Sequence, residues 1–133
     1  MDMVMDMDIE PTLVAVLDDE PEMRKAFRRL LIGQKYAVEE YACAVDFLLS
    51  LESHQPACLL LDLQMPGFNG FNVLEAFQSR HIPVPVVVVT AHDEPGTAEK
   101  VAALGACAFL KKPVAKNILL LAIQTAINRS PKG

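Results

Sequence analysis

Three aspartates stand where short apolar runs of the sequence stop. Asp18 and Asp19, followed by Glu20, close the run LVAVL, and Asp62 closes ACLLL. Thr90 closes the valine-rich run VPVVVV, and Lys111, Lys112 and Pro113 follow the run ending in Phe109 and Leu110. Carboxylates gathered in one crevice repel each other strongly at low dielectric unless a cation sits among them or some hold a proton. A hard divalent ion is the simplest remedy. Oxygen donors with no His or Cys among them suit Mg²⁺, which keeps several waters and commonly joins one or two carboxylates to a phosphoryl group. Lys112 offers a point charge for one phosphoryl oxygen, and the Thr90 hydroxyl offers a hydrogen bond to another. The crevice has no glycine-rich loop to cradle a nucleotide, which favours a covalently carried phosphoryl group, and a carboxylate can serve as the nucleophile that forms an aspartyl phosphate. Asp62 is the expected acceptor, because it closes a central apolar strand and phosphoryl transfer asks a protein chiefly for alignment and charge neutralisation.

These residues are useful together only if the chain brings them to one edge. Apolar runs of strand length alternate with stretches of helical period. The predicted strands are Thr12 to Leu17, Tyr36 to Tyr41, Ala57 to Leu61, Val84 to Val89 and Cys107 to Leu110. Three of them are apolar at consecutive positions, as expected of parallel strands covered on both faces. The first helix should start near Pro21, with Asp19 and Glu22 at capping-box-like spacing, and should close at Gly33 in the left-handed conformation. A short second helix carries Phe47, Leu48 and Leu51, and a third follows the turn residues Pro66, Gly67, Asn69 and Gly70 with Val73, Leu74 and Phe77 on one face. A fourth runs from Thr97 to Leu104 and stops at Gly105; the last spans Val114 to Asn128. Strict alternation with right-handed crossovers gives a doubly wound three-layer α/β sandwich, whose functional crevice lies at the carboxyl ends of its strands.

Composition narrows the function classes. With 133 residues the chain fits one domain, and 52% hydrophobic residues can fill a core. Twelve Lys and Arg against seventeen Asp and Glu give a net charge of −5, the wrong sign for an unaided grip on nucleic acid or an anionic membrane. The longest nearly apolar stretch, Val101 to Leu110, is about half of what a membrane-spanning helix needs. Residues 1–11, in which Met alternates with Asp, carry no secretory pattern and read as a flexible extension; residues 12–129 form the domain and 130–133 a stub or the start of a linker. Cys43, Cys58 and Cys107 are odd in number and set among apolar neighbours, so they are expected to be small core residues in a reducing, cytoplasmic compartment.

Taken together, the acidic pair Asp18 and Asp19, Asp62 in LLLDLQMPGFNG, Thr90 in VVVVTA and Lys112 in FLKKP resemble the receiver domain of two-component response regulators, most closely those of FixJ/NarL-type transcriptional regulators. The resemblance covers about Thr12 to Asn128. It implies a flavodoxin-like fold with five helices and strand order 2-1-3-4-5, and phosphorylation of Asp62 by a sensor histidine kinase. It further implies Mg²⁺ held by Asp19 directly, by Asp18 through water, by the Asp62 side chain and by the Gln64 backbone carbonyl, with Thr90 and Phe109 as a switch pair. The implied output is a change in the face made by the fourth helix, last strand and last helix, read by a second copy of the chain or by a C-terminal DNA-binding domain, in phosphorelay control of transcription. Such a domain assists its own phosphorylation and dephosphorylation and is not otherwise an enzyme.

Other chemistries fit less well. A phosphohydrolase with a strand-end Asp nucleophile usually needs a second acid two residues later, where this chain has Gln64. A flavin carrier needs a Thr, Ser and Gly-rich loop after the first strand, where this chain has DDEPE. His54, His81 and His92 fall in separate loops with no paired nucleophile and receive no role. On the last helix, Ile118, Leu119, Leu120, Leu121 and Ile123 belong to an apolar arc wider than one sheet face can hide, which leaves Leu121 facing outward.

Overall fold

The computed structural model describes residues 11–92 and 94–129. Its elements alternate strictly: β1 (Leu13–Leu17), α1 (Pro21–Gly33), β2 (Ala37–Tyr41), α2 (Ala44–Ser50), β3 (Cys58–Leu61), α3 (Gly70–Ser79), β4 (Val86–Thr90), α4 (Thr97–Ala103), β5 (Ala108–Lys111) and α5 (Lys116–Arg129). The strands form one sheet in the order β2-β1-β3-β4-β5, and every pairing is parallel. The expected fold class is the one found. Strand boundaries agree with the sequence expectation to within two residues, and the last helix starts at Lys116 rather than Val114.

Consecutive apolar residues in the central strands feed two separate cores, because successive side chains point to opposite faces. Leu17, Leu59, Leu61 and Val88 face one layer with Phe47, Leu74 and Phe77. Val14, Val16, Leu60 and Val87 face the other with Phe27, Leu31, Leu119 and Ile123. β3 and β4 are buried along their whole length, which explains why their sequences do not alternate. Leu121 is 61% exposed, on the outer side of α5.

Backbone pairing continues one residue past the strands at their carboxyl ends. The Asp62 N–H donates to the Leu17 carbonyl at 3.0 Å, the Asp18 N–H to the Tyr41 carbonyl at 3.1 Å, and the Lys112 N–H to the Thr90 carbonyl at 2.9 Å. This ladder fixes the height of Asp18, Asp62 and Lys112 on one edge of the sheet. The Lys112–Pro113 peptide bond is cis.

Some local expectations need correction. Cys58 is buried, but Cys43 and Cys107 are exposed. Cys43 is the N-cap of α2, beyond edge strand β2, and Cys107 precedes edge strand β5, so neither has a second layer over it. The capping box expected at Asp19 and Glu22 is absent: Glu20 is the N-cap of α1 and its side chain makes no capping bond. A reciprocal box forms instead at α3, where Asn69 and Asn72 each accept from the other's backbone N–H, at 3.1 and 2.9 Å. Gly33 stays helical and Lys35 takes the positive φ of 70° that closes α1, whereas Gly105 ends the α4 segment at φ 98° as expected. The extension, apart from Pro11, and the stub at 130–133 lie outside the described residues.

Candidate functional site

Asp18, Glu20 and Asp62 each present a carboxylate oxygen, and these oxygens all lie within 4.8 Å of one another. Asp18 and Asp62 are 1% and 4% exposed, a degree of burial that carboxylates rarely show without partners. Their partner is Lys112, whose Nζ stands 2.8 Å from Asp18 Oδ2, 3.0 Å from Glu20 Oε1 and 3.7 Å from Asp62 Oδ2. Glu20 reaches this group through a tight turn: its N–H donates to Asp18 Oδ1 at 2.9 Å, folding the chain back over the aspartate that ends β1. Arg24 braces the same turn by donating to the Asp18 carbonyl at 2.7 Å.

Asp62 sits in the cleft floor. Its Oδ1 accepts the Gln64 N–H at 3.3 Å, and Thr90, which closes the neighbouring strand, is fully buried. Burial pushes its pKa above the ordinary carboxylate value and the nearby Asp18 charge adds to this, while Thr90, Lys112 and the Gln64 N–H act against it without cancelling it. Burial alone would lower the Lys112 pKa, but its bonds to Asp18 and Glu20, with the Asp62 charge, raise it. The cleft thus holds a carboxylate whose charge is poorly compensated and an ammonium committed elsewhere.

A cleft of about 230 Å³ lies over this floor, lined by Asp19, Glu20, Asp62, Gln64, Ala91 and Lys112. The donor set is all oxygen, apart from the lysine, and its excess negative charge suits a hard divalent cation. Of the expected residues, Asp19, Asp62, Gln64 and Lys112 line this one space, and Asp18 meets Asp62 and Lys112 beneath it. Asp19 lines the cleft but lies outside the converging trio, whereas Glu20 lies inside it. Sequence reading placed Glu20 at the strand end without a role; the signal that could have found it is its position two residues after Asp18, which a turn brings to the same side.

Two further features escaped the sequence. His92, expected to have no role, stands at the rim: its N–H donates to Thr90 Oγ1 at 3.1 Å, and its Nδ1 is 3.3 Å from Gln64 Nε2. Gly70 starts α3 against the segment that follows β3, with its N–H donating to the Leu63 carbonyl at 3.2 Å. A Cβ at Gly70 would lie 2.5 Å from the Asp62 carbonyl oxygen and 2.7 Å from Leu63 Cα. Phe109 is partly buried on β5, packed on the core layer that holds Phe47 and Phe77.

A doubly wound sheet with acidic residues and a lysine gathered at its carboxyl edge defines the receiver class of signalling domains. The chain belongs to the response regulator receiver domain family, which matches residues 14–124. It is 30% identical over 117 residues to the transcriptional regulatory protein FixJ of Bradyrhizobium diazoefficiens, a match that covers 88% of this chain and 57% of FixJ. It is 32% identical over 122 residues to response regulator MprA of a Mycobacterium species, covering 90% of this chain and 52% of MprA. The chain spans about half the length of these curated relatives. The crystal structure of FixJ-N superposes with a TM-score of 0.85 at 26% identity, covering 94% of this chain and 100% of FixJ-N. No helix among the described residues is long and apolar enough to cross a membrane.

Proposed function

We propose that Asp62 is the phosphoacceptor of this receiver domain, that Thr90 and Lys112 act on the transferred group, and that the reaction depends on Mg²⁺. Asp18, Asp19, Asp62 and the Gln64 carbonyl would hold the ion, with Glu20 beside them. When bound, it would offset the crowded carboxylates and polarise the phosphoryl oxygens. The observation that carries this reading is Lys112 Nζ within 4 Å of three converging carboxylates at strand ends, above an open cleft.

The donor is a phosphohistidine on a sensor histidine kinase, or a small acyl phosphate. A carboxylate oxygen of Asp62 bonds to phosphorus as the bond from phosphorus to the histidine nitrogen breaks; the departing imidazole keeps the electron pair and is neutralised by a proton. The acyl phosphate carries about two negative charges where the carboxylate carried one. Lys112 then leaves Asp18 for the new oxygens, and the Thr90 hydroxyl turns toward them. Phe109 fills the space Thr90 vacates, biasing a two-state equilibrium of the α4–β5–α5 face. A second copy of this chain, or a DNA-binding output domain of the kind found in relatives such as the DNA-binding transcriptional regulator NtrC, reads that face. The domain works in the cytoplasm in transcription regulation and does not itself grip nucleic acid.

The test is incubation with acetyl phosphate and Mg²⁺, read by intact mass and sizing chromatography. Wild type gains one phosphoryl group and changes its elution, whereas Asp62→Asn stays unmodified. Full modification of Asp62→Asn would overturn the assignment.

A further inference from the structure

The Lys112 ammonium is not placed against the acceptor. It lies within hydrogen-bond distance of Asp18 and Glu20, while Asp62 Oδ2 is 3.7 Å away, too far for a hydrogen bond. The bonds form a closed ring. Asp18 Oδ1 accepts the Glu20 N–H, Glu20 Oε1 accepts from Lys112 Nζ, and the same Nζ donates to Asp18 Oδ2. Asp18 therefore both binds the ammonium and turns Glu20 toward it. Asp62 has a partner of its own in the Gln64 N–H.

Glu20 carries a second, independent mark. It is the N-cap of a 13-residue helix, where Ser, Thr, Asp or Asn would satisfy a free backbone N–H, yet its side chain makes no capping bond. That side chain reaches across the cleft to a residue 92 positions away. The local helix signal is given up for a contact in the site. We propose that Glu20 is a positioning residue that holds Lys112 over Asp18 before phosphorylation, and so competes with the arriving phosphoryl oxygens for the ammonium. The inference rests on the reading of Asp62 as acceptor. It adds a regulatory setting: the strength of the hold on Lys112 fixes how readily the phosphorylated arrangement forms.

The side chain of Glu20 is 60% exposed, so its hold on Lys112 is screened and of the size of an exposed ion pair. Glu20→Gln removes the charge and keeps the length. Beryllofluoride with saturating Mg²⁺ serves as the phosphoryl mimic, titrated by NMR against wild type, Glu20→Gln and Glu94→Gln. Glu94 is an exposed acid 3.6 Å from His92 at the same rim, so its variant reports the loss of one negative charge near the cleft. Glu20→Gln is expected to bind the mimic about 1.5-fold to fivefold more tightly than wild type, the range an exposed pair supports, and more tightly than Glu94→Gln. A metal-free measurement reads the hold itself: exchange of the Lys112 ammonium protons with water should be severalfold faster in Glu20→Gln and unchanged in Glu94→Gln. Equal mimic affinity in wild type and Glu20→Gln, or equal exchange rates, would overturn the role of Glu20 while leaving the acceptor reading intact. If wild type fails to bind the mimic and Asp62→Asn still takes up phosphoryl groups, the acceptor reading fails instead, and competition at Asp62 fails with it.

Discussion

Replacing Gly70 with alanine sets two physical effects against each other. Helix propensity favours Ala over Gly by up to about 1 kcal/mol within a helix, and by less in a first turn. The contact geometry opposes it. The added methyl would stand 2.5 Å from the Asp62 carbonyl oxygen and 2.7 Å from Leu63 Cα, and backbone atoms cannot rotate aside. Reaching an ordinary contact near 3.4 Å requires α3 and the end of β3 to part by about 1 Å. Overpacking of that kind costs roughly 1–3 kcal/mol, so the contact should prevail and leave a net loss of about 1–2 kcal/mol. For a domain of this size that is a fall in Tm of roughly 3–8 °C. The atom pushed belongs to Asp62 itself, and a displacement of ~1 Å at a reacting group can cost about 10²-fold in rate. Thermal denaturation followed by circular dichroism and the initial rate of labelling by acetyl phosphate read the two effects. Gly33→Ala is the control: Gly33 is the last residue of α1 and a Cβ there meets nothing within 4 Å, so that variant should be unchanged or slightly more stable. If Gly70→Ala matched wild type in both Tm and rate, the close approach of α3 to Asp62 and Leu63 would be refuted as a constraint.

Asp62 is an acid whose folded pKa is raised, so the metal-free protein should lose stability as pH rises from below the ordinary carboxylate value through that raised pKa; Asp62→Asn should flatten this dependence and raise the urea midpoint in EDTA. The raised Lys112 pKa gives the same slope in a higher window: its contribution is complete below the ordinary lysine value and is lost as pH climbs through the folded one, a loss that an alkaline denaturation series on Lys112→Met would lack. That variant also leaves Asp18 buried without its 2.8 Å partner, a loss of about 3 kcal/mol of stability, read as a lower urea midpoint, that added Mg²⁺ should partly restore. Thr90→Val keeps the shape and removes the hydroxyl that acts to lower the Asp62 pKa; phosphorylation stoichiometry should persist, the mobility change on sizing chromatography should vanish, and the Asp62 pKa read by carboxyl NMR should move further up.

The layered fold was legible because its signals are local. Consecutive valines and leucines in β3 and β4 imply cover on both faces, and Pro21 and Gly105 punctuate helices near where they begin and end. The site was legible as a set of strand ends, since a parallel sheet delivers Asp18, Asp62, Thr90 and Lys112 to one edge whatever the loops do. What stayed hidden depends on loop geometry and on which strands are edges. The turn from Asp18 to Glu20, the Gln64 to His92 contact and the approach of Gly70 to Asp62 are meetings between segments that no period reveals. The exposure of Cys43 and Cys107 follows from strand order, because apolar neighbours in sequence do not bury a residue beyond an edge strand.

The glycine demanded at position 70 follows Asn69, and an Asn-Gly step is the one most open to succinimide closure, because an unhindered amide nitrogen can attack the asparagine side-chain carbonyl. In the folded chain both reactants are engaged: the Asn69 side-chain oxygen accepts the Asn72 N–H, and the Gly70 nitrogen donates to Leu63. Deamidation should therefore proceed chiefly from unfolded molecules. The chemical ageing of a stored sample then becomes a slow record of how often this domain opens next to Asp62.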